Sequence, residues 1–480
     1  MSTFSGIGTA LSSLIAQRAA LDVAGQNVAN ANTVGYTRQR ATITSVGGQV
    51  TPAMFATSNG IGQGVQVTGI ARLGDMFLDA RVRSESAGSA YLPARSDALT
   101  QLEQNVGEPS KTGLSSQLSA LWSAFSDVAV TPGSSSARSV LLDNANAVVS
   151  RIATLYKGAD TQWTQARSTT AALVDQVNTT AANIADLNGR ILAITNAGSS
   201  ANELSDQRDQ LITSLSGLVG ATTQVRGDGV IDVYVAGNTL VNGDSARTLA
   251  LAGPTVFSQA AAGASATLVW ADRPTVPVGL TSGRIAGELS VLGPPGTPAG
   301  TGGVLTEAAA SYNTLATTIA TQVNALHTSA VRVDGTAGTA FFALDATKPA
   351  ALGLSVAITD PAQVAAADPG SVLPGGTLDG SIAAKLAKLG TTSDGPDTLW
   401  NATVVGLGVQ TASATSRATV AAKSLATASA QQLAQTSVDT DEEAANMLAY
   451  QRAYQASSRV LTAIDEMLDT LINRTGTVGR

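Results

Sequence analysis

At 480 residues the chain is long enough for two to four domains and a sizeable core, with aromatics at 4%, charged residues at 13% and a net charge of −7. Six lysines and twenty-two arginines against that acidic balance give no basic surface for nucleic acid, and the absence of cysteine removes disulfide frameworks and thiolate metal sites. No apolar run reaches the roughly 18 residues of a membrane span, so no membrane insertion is expected. The polar stretch from Met1 to Gly8 lacks the basic start and apolar core of a signal peptide, so any exit from the cytoplasm is expected without a cleaved leader.

In chain order, Phe4, Ile7, Leu11, Leu14, Arg18, Leu21, Gly25 and Val28 step by three and four residues, which predicts a helical seam in need of a partner. Asn30, Asn32 and Gly35 in Ala29–Tyr36 predict a helix stop and turn. A β section follows, with alternation at Ala41, Ile43 and Ser45 and again at Val65, Val67 and Ile70, and helix is expected to return from about Asp97. The longest periodic run extends from Leu142 to Ile194, a rod of roughly 80 Å if continuous. After Gly220, Val225, Val230, Val233 and Val235 with Gly-rich turns predict an autonomous β-rich insert, closed by the Gly293–Pro298 linker. Helix resumes at Leu305–Leu326, a loop- and strand-rich excursion occupies 330–395, and a last helical stretch runs from Trp400 to the C-terminus. There Met447, Tyr450, Tyr454, Ser457, Leu461, Ile464, Leu468 and Leu471 form a second seam.

The expected fold is therefore mainly α with β-rich inserts, in nested discontinuous domains. Residues 1–35 would pair with 440–480 as a coiled-coil-like inner domain. A helical rod of 36–220 and 301–439 would follow, with 221–300 as an outward β insert. Three features invite a catalytic reading. Gly60–Val65 carries Val65 where a dinucleotide fingerprint needs a third glycine, and reads as a turn before a strand. Asp439, Asp441, Glu442 and Glu443 read as a helix start, with Thr440 and Glu443 in capping-box spacing. His327 is the only histidine, which excludes multi-His metal sites, and it reads as a packed or capping residue. Neither a cofactor nor an enzymatic activity is expected.

Two terminal motifs add a specific resemblance. Leu21–Gln39, containing Asn30, Asn32, Thr33, Gly35 and Tyr36, closely resembles the N-terminal motif of the bacterial flagellar axial proteins (rod, hook and hook-associated). Val438–Met447, with Tyr450–Ala456 behind it, is similar to their other end. Within that group the Asp441–Asn446 form, Leu204–Leu211, and Asn324–His327 resemble the hook-associated protein 1 family. Where that family often has an Asp-Leu-Asn-Gly turn after the Asn-Ala-Leu-His helix, Val331–Gly335 stands here, which leaves that loop's geometry open.

The resemblance implies a structural subunit joining hook to filament, exported through a type III apparatus and ending extracellular in the flagellum; another axial protein, the hook subunit or the second junction protein, is the alternative. It implies as partners copies of itself in a tubular ring, hook subunits, the second junction protein, and a small helical export chaperone. The chaperone is expected to cover Tyr454, Leu461, Ile464 and Leu468.

Overall fold

The computed structural model describes residues 3–47, 62–298, 300–371 and 379–474. Gly60 and Ile61 of the expected glycine turn and the side chain of Phe4 lie outside the described residues. Helix α1 (Thr3–Ala29) is followed by the antiparallel pair β1 (Gln39–Ser45) and β2 (Val65–Arg72). Helices α2 (Met76–Val106), α3 (Leu114–Val130), α4 (Ser135–Asn196) and α5 (Asn202–Val219) come next.

Two of these helices are longer than the periodicity indicates. Helix α2 starts at Met76 rather than near Asp97, because the Asp75 carboxylate caps it by accepting from the Phe77 and Leu78 amides. Its first half, rich in Ser, Gly, Ala and Arg, carries little apolar rhythm, and Pro93 stands inside it. Helix α4 has 62 residues, about 90 Å at 1.5 Å per residue, and opens at a Ser134 cap one helical turn before Arg138.

The insert contains a four-stranded meander, β3 (Thr222–Val225), β4 (Ile231–Val235), β5 (Asn238–Asn242) and β6 (Ser245–Ala246). A second sheet is made of β7 (Leu249–Ala252), β8 (Thr267–Trp270) and β9 (Arg273–Pro277), with the short α6 (Phe257–Ala261) between its first two strands. The expectation of an autonomous core does not hold. Val233, Val235, Leu240, Leu268 and Trp270 bury their side chains in one cluster with Val174, Val177 and Ile184 of α4 and Ile212 and Leu215 of α5. Sheets this small have one apolar face and too little area to cover it alone, so the distal half of the rod completes them.

Helices α7 (Arg284–Leu292) and α8 (Val304–Ser329) return the chain to the main core. The 330–395 excursion holds β10 (Phe342–Leu344), α9 (Ala350–Gly353), β11 (Leu354–Val356) and α10 (Ser381–Ala387). Its loop after α8 closes as a tight turn, Gly335 N donating to Arg332 O (3.0 Å) and Arg332 N to Thr336 O (2.8 Å). The last helical stretch is two helices, α11 (Pro396–Thr436) and α12 (Thr440–Asp469), broken at Ser437–Asp439.

Asn324 and His327 knit α8 to this excursion. The Asn324 amide oxygen accepts from the Phe341 and Phe342 amides (2.8 and 2.9 Å), and its nitrogen donates to Phe342 O (2.8 Å). His327 is fully buried; Nε2 accepts from Ala365 N (2.9 Å), so Nδ1 carries the proton and donates to Thr339 O (2.6 Å). Burial lowers the pKa from 6.5 to about 4, a nearby Arg332 adding to the effect and the Thr339 bond opposing it. The native state thus binds fewer protons than the unfolded chain between those values, so stability falls as pH drops from about 6.5 towards 4, by on the order of 3 kcal/mol in total. Denaturant melts of the wild type and His327→Leu across that range are expected to differ in pH slope; parallel slopes would refute the assignment.

Candidate assembly joint

The terminal helices pair antiparallel, in a register that three contacts define. A Cβ at Gly6 would lie 3.0 Å from Ile464 Cδ1, the Ser13 and Ser457 hydroxyls are 2.8 Å apart, and Asn27 Nδ2 donates to Glu443 Oε2 (3.1 Å). The steps between these contacts are one heptad and then two on both helices, the spacing of a coiled-coil seam. The seam on α1 is made of small residues: Ala10, Ala16, Ala20, Val23, Ala24 and Asn27 are buried.

The stripe read from the large apolar residues therefore is not the buried one on α1. Ile7, Leu14 and Leu21 are half-buried, whereas Leu11 and Val28 are 49% and 39% exposed. Small side chains let the two helix axes approach closely, so the alanine face wins the intramolecular contact and the larger residues turn to its flanks. On α12 the expected stripe is divided: Met447, Tyr450, Leu461, Ile464 and Leu468 are half-buried, whereas Tyr454 is exposed, as is Leu471 just beyond the helix end. Leu448, Val460 and Met467 are each more than half exposed.

At the far end of this pair the three signature stretches converge on a polar joint. Asn27, 1% exposed, uses its whole amide: Oδ1 accepts from Tyr36 OH and Gln39 N (2.9 Å each), and Nδ2 donates to Gln39 O (2.9 Å) and Glu443. Arg38 reaches Glu443 through Nη2 (2.6 Å) and Nε (2.8 Å) and Glu442 through Nη1 (2.9 Å). The N-cap of α12 is Asp439, which accepts from the Asp441 and Glu442 amides; Glu443 is not a capping partner, because its carboxylate is buried against Arg38 and Asn27. Among the described residues no group of His, Asp and Glu is placed to hold a metal.

The joint continues into the body. Thr37 N donates to Asp206 (3.1 Å), and Arg72 lies 2.8 Å from both Asp206 and Asp209. Gln39 Oε1 accepts from Asn202 (2.9 Å). Burial pushes the Asp206 carboxyl up against the lowering effect of Arg72, and burial followed by Glu203, Asp206 and Glu443 raises the Tyr36 phenol to about 12. The turn is organised locally: Asn30 donates to Gln26 O and accepts from Thr33 Oγ1, while Asn32 is exposed. Gly35 has φ +77°, and a Cβ there would collide with the Gln210 amide that donates to Val34 O (2.7 Å).

In the sequence these stretches stand out as family motifs, but their meeting does not, and no pattern there singles out Arg72. In a chain with so few charges, an Arg at 38 and paired acids at 442–443, each inside a terminal signature, is the signal that could have linked them.

Two partial matches define the class. Residues 7–37 match the flagella basal body rod protein model and 430–474 the flagellar basal body rod FlgEFG protein C-terminal model, so both ends are those of a flagellar axial protein. Residues 99–342 match the flagellar hook-associated protein FlgK helical domain. The chain belongs to the FlgK family of flagellar hook-associated proteins. It is 29% identical over 508 residues to flagellar hook-associated protein 1 of Bacillus subtilis, covering 100% of both chains. It is also 29% identical over 381 residues to the Escherichia coli protein of that name, covering 75% of this chain and 65% of that one. The solved structure of the flagellar hook junction protein FlgK from Burkholderia pseudomallei shares the fold, with a TM-score of 0.61 at 17% identity over 75% of this chain and 100% of that one.

Proposed function

We propose that the chain is a structural subunit of the bacterial flagellum that forms the junction between hook and filament, assembled after type III export. The observation that carries this reading is the two-sided terminal helix pair. Its inner seam is satisfied within the chain, yet both outer flanks present apolar side chains, Leu11 and Ile15 on α1 and Leu448, Val460 and Met467 on α12. Copies set side by side in a tubular ring would cover those flanks, and the polar joint would hold each pair at a fixed attitude to its rod. Hook subunits and the second junction protein would adjoin the ring's two ends. Complementation tests the reading: the full chain is expected to restore filament growth in a strain lacking it, and a chain that restores none would overturn it.

Before export the partner of α12 is proposed to be a small helical chaperone, in the helix-in-groove manner, with Tyr454, Leu461, Ile464 and Leu468 as anchors. The stripe would serve twice, first in the chaperone and afterwards against α1. Leu461→Ala with Leu468→Ala is expected to weaken chaperone binding by about 3 kcal/mol or more, since each change removes a large apolar side chain. Arg459→Ala with Asp465→Ala, both exposed and off the stripe, is expected to change it little. Equal calorimetric affinities for the leucine double variant and the wild type would remove the chaperone contact.

A further inference from the structure

Three Asn-Gly steps occur in the chain, and Asn59–Gly60 lies outside the described residues. The other two sit in opposite environments. Asn188–Gly189 is inside α4, where the Asn188 amide is fully buried; Nδ2 donates to Ile231 O and Gly243 O (2.8 Å each), and Oδ1 accepts from Arg208 and Ile231 N. Asn242–Gly243 is at the exposed β5–β6 hairpin, where Asn242 pairs with Ser245 across a Gly243–Asp244 turn.

We propose that Asn242–Gly243 is a self-modification site, at which the Gly243 backbone nitrogen closes onto the Asn242 side-chain amide with Asp232 as base and Arg226 as carbonyl activator. Gly243 N–H donates to Asp232 Oδ1 at 2.9 Å, so the nucleophilic nitrogen already shares its proton with a carboxylate. Arg226 Nη2 donates to Asn242 Oδ1, the oxygen that becomes negative during attack. The Arg226 Nε to Asp232 Oδ2 contact of 2.7 Å holds the two groups in one frame. Acceptor, donor, nucleophile and electrophile are thus all present, in the roles that general base and oxyanion catalysis require. The backbone must turn for closure, against the two-residue β6 and the bond from Asn188 Nδ2 to Gly243 O.

The step balances without any further reagent. The Gly243 N to Asn242 Cγ bond forms, the proton passes to Asp232 and on to the amide nitrogen, the Cγ–Nδ2 bond breaks, and ammonia leaves a succinimide. Water then opens either ring carbonyl, giving an aspartyl or isoaspartyl residue. Both products place a new carboxylate beside Arg226, and the isoaspartyl form adds a backbone carbon that breaks the β5–β6 register.

The test uses the purified full chain, incubated in neutral buffer or in guanidinium chloride, with peptide mapping of succinimide and isoaspartate at each Asn-Gly step. Conversion at Asn242 is expected to be at least about tenfold faster folded than denatured, below the 10²–10⁴-fold reach of a well-placed general base because the turn must open. Conversion at Asn188 is expected to be at least about tenfold slower folded than denatured, as its amide is held in a rigid frame. With a carboxylate as base the folded rate is expected to stay nearly level between about pH 6 and 8, while the denatured rate climbs with hydroxide. Asp232→Asn is expected to bring the folded rate down to the denatured one. A folded rate at Asn242 equal to or below the denatured rate overturns the proposal, as does a folded rate that follows hydroxide or survives Asp232→Asn.

Discussion

Glu443→Ala is expected to release the terminal helix pair from the body at a cost of about 3–5 kcal/mol, the usual result of removing one partner from a buried charge pair. The Glu443 side chain is 4% exposed and that of Arg38 14%, so the guanidinium would be left without its principal counter-charge, and Asn27 would lose an acceptor. Glu442, with its side chain 56% exposed, retains one contact to Arg38 and is too well solvated to replace the pair. Hydrogen exchange is expected to show amides of α1 and β1 losing protection while α4 and α8 keep theirs. Combining the change as Arg38→Met with Glu443→Leu is expected to recover most of the loss, since the penalty lies in the stranded charge. Unchanged protection in α1 for the single variant would show that the joint does not hold the pair.

Removing residues 1–35 and 440–480 together is expected to abolish junction assembly while leaving a folded, soluble body. Among the described residues the body's two apolar clusters draw none from α1 or α12, so its packing is expected to survive the truncation. What is lost is the paired helices with their apolar flanks, along with the Asn27 and Glu443 side of the joint. The truncated chain is expected to melt cooperatively and to give no filament in a strain lacking the full protein. Restored filament growth by the fragment would place the assembly surface elsewhere; a fragment that does not fold would show that the pair also supports the body.

Much of the architecture was legible because large apolar residues recur at helical spacing. The run from Leu142 to Ile194 is a helix throughout, extended back to Ser135 behind a Ser134 cap and on to Asn196, and the hairpins after Gly220 follow their glycine turns. The terminal signatures marked the family through side chains whose identity is set by specific hydrogen bonds rather than by bulk. Asn27, Gly35 and Tyr36 belong to this group: Asn27 bonds Tyr36, Gln39 and Glu443, and Gly35 holds a positive φ.

Tertiary structure alone decided which faces meet. On α1 an alanine face and a leucine-flanked face were both available, and periodicity weighs residues by hydrophobicity, while helix packing also rewards close approach; the choice of Ala16, Ala20 and Ala24 needed α12 as partner. The start of α2 at Met76, among weakly patterned residues, likewise rests on a cap and on its long contact with α11. The insert's dependence on α4 and α5, and the meeting of Arg38 with Glu443 and of Thr37 with Asp206, join residues far apart in the chain. Sequence thus determined the local elements and the family, because both reside in short-range pattern. The joint came from long-range pairing, where burial makes each polar partner obligatory and only the folded chain shows which one it is.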